Sequence, residues 1–242
     1  MCGARVPGIS GIIRPVPADP TNSILNAGAR EVLRPMGLVR RGRSRTWWDD
    51  HGWWLINVEF QPSGFSKGSY LNEGICWLWT AEPKSYVSYD LGYRITGAGG
   101  TFESVAKWRA LVDGLVRRAA EEVVRYRQHV PNLDAAAREC LRLERERVEQ
   151  VRANQGREAT ASWSTWNAAV ASGLAGDVGT AVGYFDAVAK SPEGPGYWLP
   201  VRDRAAAWSH LVRRDHGAFM EDVRRQTEKQ REALKLPAAF AS

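Results

Sequence analysis

Cysteine is scarce in this 242-residue chain, and Cys2, Cys76 and Cys140 are scattered and odd in number. That excludes a disulfide framework and the paired spacing of a zinc knuckle, and it fits a reducing compartment. Histidine is as thin: His51, His129, His210 and His216 stand apart, none at ligand spacing with another His, a Cys or a carboxylate pair. No stretch comes near the ~20 consecutive apolar residues of a membrane span. Pro7, Gly8 and Gly11 break up the segment between Arg5 and Arg14, so no secretory leader is expected. No Ser or Cys carries a nucleophile signature. Gly97-Ala98-Gly99-Gly100 matches a phosphate loop only in glycine content and reads as a plain strand-to-helix connector. The expectation is a cytoplasmic protein that uses no metal or cofactor and has no membrane partner, and no residue is assigned a catalytic role.

Lysine is rare too, at 6 residues against 27 arginines. With many Ala and Gly residues, this bias has the look of a GC-rich bacterial genome, so the formal charge of +6 is weak ground for nucleic-acid binding. Residues 1–100 carry 11 basic and 8 acidic side chains and residues 101–242 carry 22 and 19, so each half is +3 and neither is a strongly basic module.

Against these absences, hydrophobic periodicity is clear. Residues 1–20 hold Pro7, Pro15, Pro17 and Pro20 and read as an irregular lead-in. Thr21, Asn22 and Ser23 precede a helical pattern of Ile24, Leu25, Ala29, Val32 and Leu33, which Pro35 and Gly37 stop. Three runs of period two follow: Trp54 to Phe60, Leu71 to Trp79, and Val87 to Ile95. The connections are short and rich in turn residues, so the strands are antiparallel neighbours. A meander of about four strands, starting near residues 43–48, is expected. Val105, Trp108, Val112, Leu115, Ala119, Val123 and Tyr126 hold one face of a helix of about seven turns, ended by Pro131 and Asn132. Residues 133–152 read as a charged helix with i,i+4 pairs such as Arg142 with Glu146. Beyond Gly156 the pattern is helical, with one pair of helices before Ser191-Pro192 and another from about Tyr197-Trp198. The fold class is therefore α+β: an antiparallel sheet packed by long helices, followed by an all-α helical-hairpin region. The expected divisions are an α+β domain over 1–130, a charged connecting helix over 131–156 and repeat-like hairpins over 157–242.

Two segments carry a resemblance. Leu33-Arg34-Pro35-Met36-Gly37-Leu38-Val39-Arg40-Arg41-Gly42, then Phe60-Gln61-Pro62-Ser63 and Tyr70-Leu71-Asn72-Glu73-Gly74, resemble a bacterial domain-of-unknown-function family, the one numbered 4304. The likeness spans roughly residues 22–129 and implies no activity and no catalytic residues. Gly176-Asp177 with Ala181 and Phe185 resembles the second helix of a tetratricopeptide repeat, which implies degenerate helical hairpins over roughly residues 160–235.

Two constellations are candidate sites for a ligand or partner. Arg40, Arg41, Arg43 and Arg45 run into Trp47 and Trp48, a pairing that can grip phosphates while indoles stack on bases. The plainer reading is a basic edge strand whose tryptophans enter the core. Asn57, Glu59, Glu73, Asp90 and Arg94 are polar residues on strands, and Gln61 stands at the end of the same run as Glu59. A solvated sheet face accounts for most of them, but Glu73 shares its face with Leu71 and Trp77 and is the unusual member.

Tryptophan is the excess: 11 residues, with 6 between positions 47 and 79. On a two-residue period, Trp47-Trp48 and Trp53-Trp54 cannot both face one core. At least two indoles must therefore lie outside the main sheet core, under the helical half or on a partner surface. The functional expectation is a non-enzymatic protein-interaction module, an immunity, defence or regulatory factor. The partner is another protein, with nucleic acid as the alternative.

Overall fold

The computed structural model describes residues 20–192 and 198–240. The lead-in over residues 1–19, Cys2 and Tyr197 lie outside the described residues. One helix, α1 (Pro20–Leu33), precedes a five-stranded sheet of β1 (Val39–Arg40), β2 (Thr46–Asp50), β3 (Trp54–Pro62), β4 (Gly68–Trp77) and β5 (Leu91–Thr101). Six helices follow: α2 (Val105–His129), α3 (Leu133–Gln155), α4 (Trp163–Leu174), α5 (Val178–Ala189), α6 (Leu199–Arg214) and α7 (His216–Leu234). The strands are ordered β1-β2-β3-β4-β5 and every neighbour is antiparallel. The α+β class holds, with one strand more than the expected four.

The extra strand comes from the basic segment, where β1 is a two-residue arm folded back on β2. Two boundaries also differ from the sequence pattern. The alternation over Tyr86–Asp90 forms no strand, and side chains of the helical half bond the backbone of the segment just before it. Trp166 Nε1 donates to the Trp79 carbonyl, Gln226 Nε2 to the Ala81 carbonyl, and Gln230 bonds both the amide and the carbonyl of Lys84. Pairing resumes only where the Asp90 amide meets the Ile75 carbonyl. Conversely, Gly97–Gly100 is not a connector but part of β5, with Gly99 opposite Tyr70 and Gly100 opposite Ser69. A Cβ on Gly100 would lie 2.8 Å from Leu111 of α2, so the missing side chain lets the helix lie close on the strand.

Residue parity then sorts the core. Trp47, Trp54, Ile56, Val58, Phe60, Leu71, Ile75 and Trp77 share one sheet face and are buried in the main core. From α2 this layer receives Trp108, Val112, Leu115, Val116, Ala119, Val123 and Tyr126, whereas Val105 at its first turn is exposed. Ser104 caps the helix by accepting from the Lys107 amide. On the opposite sheet face Trp48, Leu55 and Cys76 form a second cluster with Leu78, closed by Leu234 at the end of α7 and by Leu236. Trp53 sits in the β2–β3 turn, half-buried, with its ring 4.4 Å from Phe240. Thus one member of each tryptophan pair, Trp48 and Trp53, meets the C-terminal end of the chain.

The helical half packs consecutive helices around Trp166, Phe185, Trp208 and Phe219, whose rings meet at 5.1–6.0 Å. Trp163 and Trp198 meet edge-on at 5.2 Å. Trp77 stacks on Trp79 at 4.9 Å, and Trp79 donates to Asn167 of α4, so the sheet core and the helical core are continuous. Among the described residues no helix is long and apolar enough to cross a membrane.

Candidate functional site: a cationic cleft beside the sheet

Three residues of the basic run converge, and one does not. Arg40 folds back on its own hairpin, donating to the Ser44 and Arg43 carbonyls at 2.7 and 2.8 Å, and so stiffens the tip. Arg41 lies over the Trp48 ring, 5.2 Å from its centre, and reaches toward the Ser85 carbonyl. Arg43 is exposed on the tip. Arg45 points the other way, toward α1, where it donates to Asn22 at 2.7 Å. Arg40, Arg41 and Arg43 line a cleft of about 710 Å³ whose far wall is Ala233, Leu234, Lys235, Leu236 and Pro237. That volume lies in the range of small-ligand sites.

Trp48 forms part of the lining but is no stacking platform. It is buried, its Nε1 donates to Asn57 at 3.0 Å, and Arg41 covers it. Trp47 and Trp54 are in the main core, so as partner-binding residues they are corrected: strand parity turns both inward beneath the helices. The one carboxylate in the cleft, Asp50, is held by both Nη atoms of Arg231 at 2.8 and 2.6 Å. Burial pushes the Asp50 carboxyl up, but the Arg231 pair and the Gly52 amide outweigh it and leave it below its usual range. Among the described residues Arg40, Arg41, Arg43 and Lys235 have no carboxylate partner. The cleft is therefore positive at its mouth and apolar along Trp48, Leu234, Leu236 and Pro237.

The polar strand residues divide between the two sheet faces. Glu59 and Gln61 lie on the same face as Trp48, in a network built by β3, β4 and β5. Asn72 Nδ2 donates to Glu59 at 3.1 Å and to Gln61 at 2.9 Å, the Tyr89 hydroxyl donates to Glu59 at 2.9 Å, and Arg94 donates to Gln61 at 2.6 Å. Arg94 also lies over Tyr70, 4.5 Å from the ring centre. Asn57 and Asn72 are buried, so this half of the face is an internally bonded polar layer and not the solvated face its composition implies. Asp90 is likewise tied down, accepting from the Trp77 amide at 2.9 Å and the Ser88 hydroxyl at 3.0 Å.

Glu73 is on the other face, at 0% exposure in the core beneath α2, and neither carboxyl oxygen has a hydrogen-bond partner. Burial first, and the charge of Glu122 second, push its carboxyl up to about 10, against a partial pull from Arg125 and Arg118. Glu122 takes both arginines as its own partners. Glu73 is therefore a neutral acid at physiological pH, remote from the cleft.

Sequence reasoning missed Ser85, Lys235, Leu236 and Pro237. Their only local signal is the apolar-basic alternation Leu234-Lys235-Leu236-Pro237 at a helix end, which says nothing about meeting residues 40–44. Among the described residues no group of three or more His, Cys, Asp and Glu side chains could hold a metal ion. No family model, curated protein or solved structure matches the chain.

Proposed function

We propose that the protein is a non-enzymatic protein-interaction module and that the cationic cleft is its docking site. The observation that supports this is the convergence of Arg41, Arg43 and Lys235, none with a carboxylate partner among the described residues, on one apolar-walled cleft. The apolar lining suits side chains of a polypeptide, and an anionic partner gains from charges that no described carboxylate neutralises. A photo-reactive amino acid in place of Ser85, which is exposed at the cleft wall, tests the reading in the native host cells. Nuclease-resistant protein adducts are expected. No adduct, or adducts lost on nuclease treatment, would contradict it.

Nucleic acid is the second reading, favoured by the same unpaired Arg40, Arg41 and Arg43. The buried indoles weigh against single-strand stacking, which needs an exposed ring face. If oligonucleotides bind, replacing these three arginines with Ala lowers the log–log salt slope by about 0.7 per lost contact on single strands and about 0.9 on duplex.

Kinship is also proposed. The order of α1, the basic glycine-punctuated segment, the strand closing on Gln61-Pro62-Ser63 and the strand carrying Asn72-Glu73-Gly74 supports the domain-of-unknown-function family numbered 4304. The consecutive pairs α4–α5 and α6–α7 support tetratricopeptide-like hairpins.

A further inference from the structure

Granted that the cleft is a protein-docking site, we propose that its occupant is a short acidic segment carrying one bulky apolar side chain, and that Lys235 is a specificity-determining residue. The apolar side chain enters between Trp48 on one side and Leu234, Leu236 and Pro237 on the other. Acidic residues flanking it meet Arg41 and Arg43 on the hairpin and Lys235 on the opposite wall. A basic segment is repelled by the same three charges, so the site discriminates as well as attracts.

Both walls are fixed before the partner arrives. The hairpin tip is held by Arg40, and the other wall by a buried guanidinium: Arg231, 2% exposed, donates to the Pro237 carbonyl at 3.0 and 2.7 Å while gripping Asp50. Lys235 itself has φ +60°, a left-handed conformation that a side-chain-bearing residue adopts at a cost, here at the C-cap of α7. Its amide bonds Glu232 and the Leu236 amide bonds Arg231, which closes the helix and turns the following residues along the cleft. A pre-set wall of this kind reduces the ordering cost of binding. The pairing of Arg231 with Asp50 also neutralises the carboxylate that lines the cleft.

Selection of a random linear peptide library on the full-length protein tests the assignment. The enriched peptides are expected to share acidic residues around one large apolar residue. In fluorescence polarisation, Lys235→Glu and Arg43→Glu should each weaken the selected peptide about tenfold or more, as should Ser in place of its apolar residue. Both substitutions are at exposed positions, so two independent folded variants report on the same site. A consensus without acidic residues, no enrichment at all, or affinities that both variants leave unchanged would overturn the proposal. If protein adducts form from Ser85 while the consensus is not acidic, the interaction module stands and the partner chemistry is wrong.

Discussion

Arg231 and Asp50 are 181 residues apart in sequence and form a two-point ion pair in which the guanidinium is buried and the carboxylate is partly open to solvent. Arg231 also donates to the Gly52 carbonyl, so one side chain on α7 ties together the β2–β3 turn and the chain after the helix. Removing it strands three acceptors. Arg231→Met should therefore cost about 3 kcal/mol, the lower end for breaking a buried pair because Asp50 retains some solvent. Urea unfolding of the variant against wild type measures this, and a loss below about 1 kcal/mol would show that the pair is incidental.

The same geometry makes the two halves one cooperative unit. A fragment ending at residue 156 lacks Leu234 and Leu236 over Trp48 and Trp166 beside Trp79. It should aggregate or bind hydrophobic dye, and the intact chain should unfold in a single transition by Trp fluorescence and circular dichroism. A soluble fragment with a native-like transition of its own would contradict the shared core.

Glu73 gives stability a pH dependence of definite sign. The folded state keeps its proton up to about pH 10, while the unfolded chain releases it near the usual 4.5. Its contribution is fully present below pH 4.5 and is lost as pH rises toward 10, by about 1.4 kcal/mol per pH unit in between. Glu73→Gln should therefore gain on wild type steadily from pH 5 to 9 in denaturant titrations. Parallel curves for the two proteins would mean that the carboxyl ionises in the fold with a partner.

Gly74 marks where sheet packing leaves no room. A Cβ there would lie 2.2 Å from the Leu91 carbonyl oxygen on β5, backbone that cannot swing aside. Gly74→Ala should cost about 1–3 kcal/mol, read from the shift in unfolding midpoint. No shift would mean that β5 is free to move away from β4.

Much of the fold was legible because period and punctuation agree. Ser104, Asn132 and Asp177 cap the helices that follow them, and the parity of Trp47-Trp48 does send one indole to each sheet face. Tyr86–Asp90 misled because alternation records which side chains are apolar, not what the backbone bonds; Gln226, Gln230 and Trp166 hold the backbone at Ala81, Lys84 and Trp79, so the chain leaves the sheet before reaching it. Gly97–Gly100 misled for the opposite reason, since glycine in a strand here serves the approach of Leu111 and Tyr70. Half of the cleft was visible as Arg40, Arg41 and Arg43. The other half, Lys235 to Pro237, was not, because no local pattern announces a contact across nearly the whole sequence.

The central claim is that this cleft holds an acidic protein partner. Its most direct measurement compares cross-linking from the photo-reactive residue at position 85 in the wild-type background and in the Arg43→Glu, Lys235→Glu double variant. The account predicts nuclease-resistant adducts in the first and their loss in the second, with circular dichroism unchanged. The same adducts at undiminished yield in the charge-reversed protein, or adducts that nuclease removes, would contradict it.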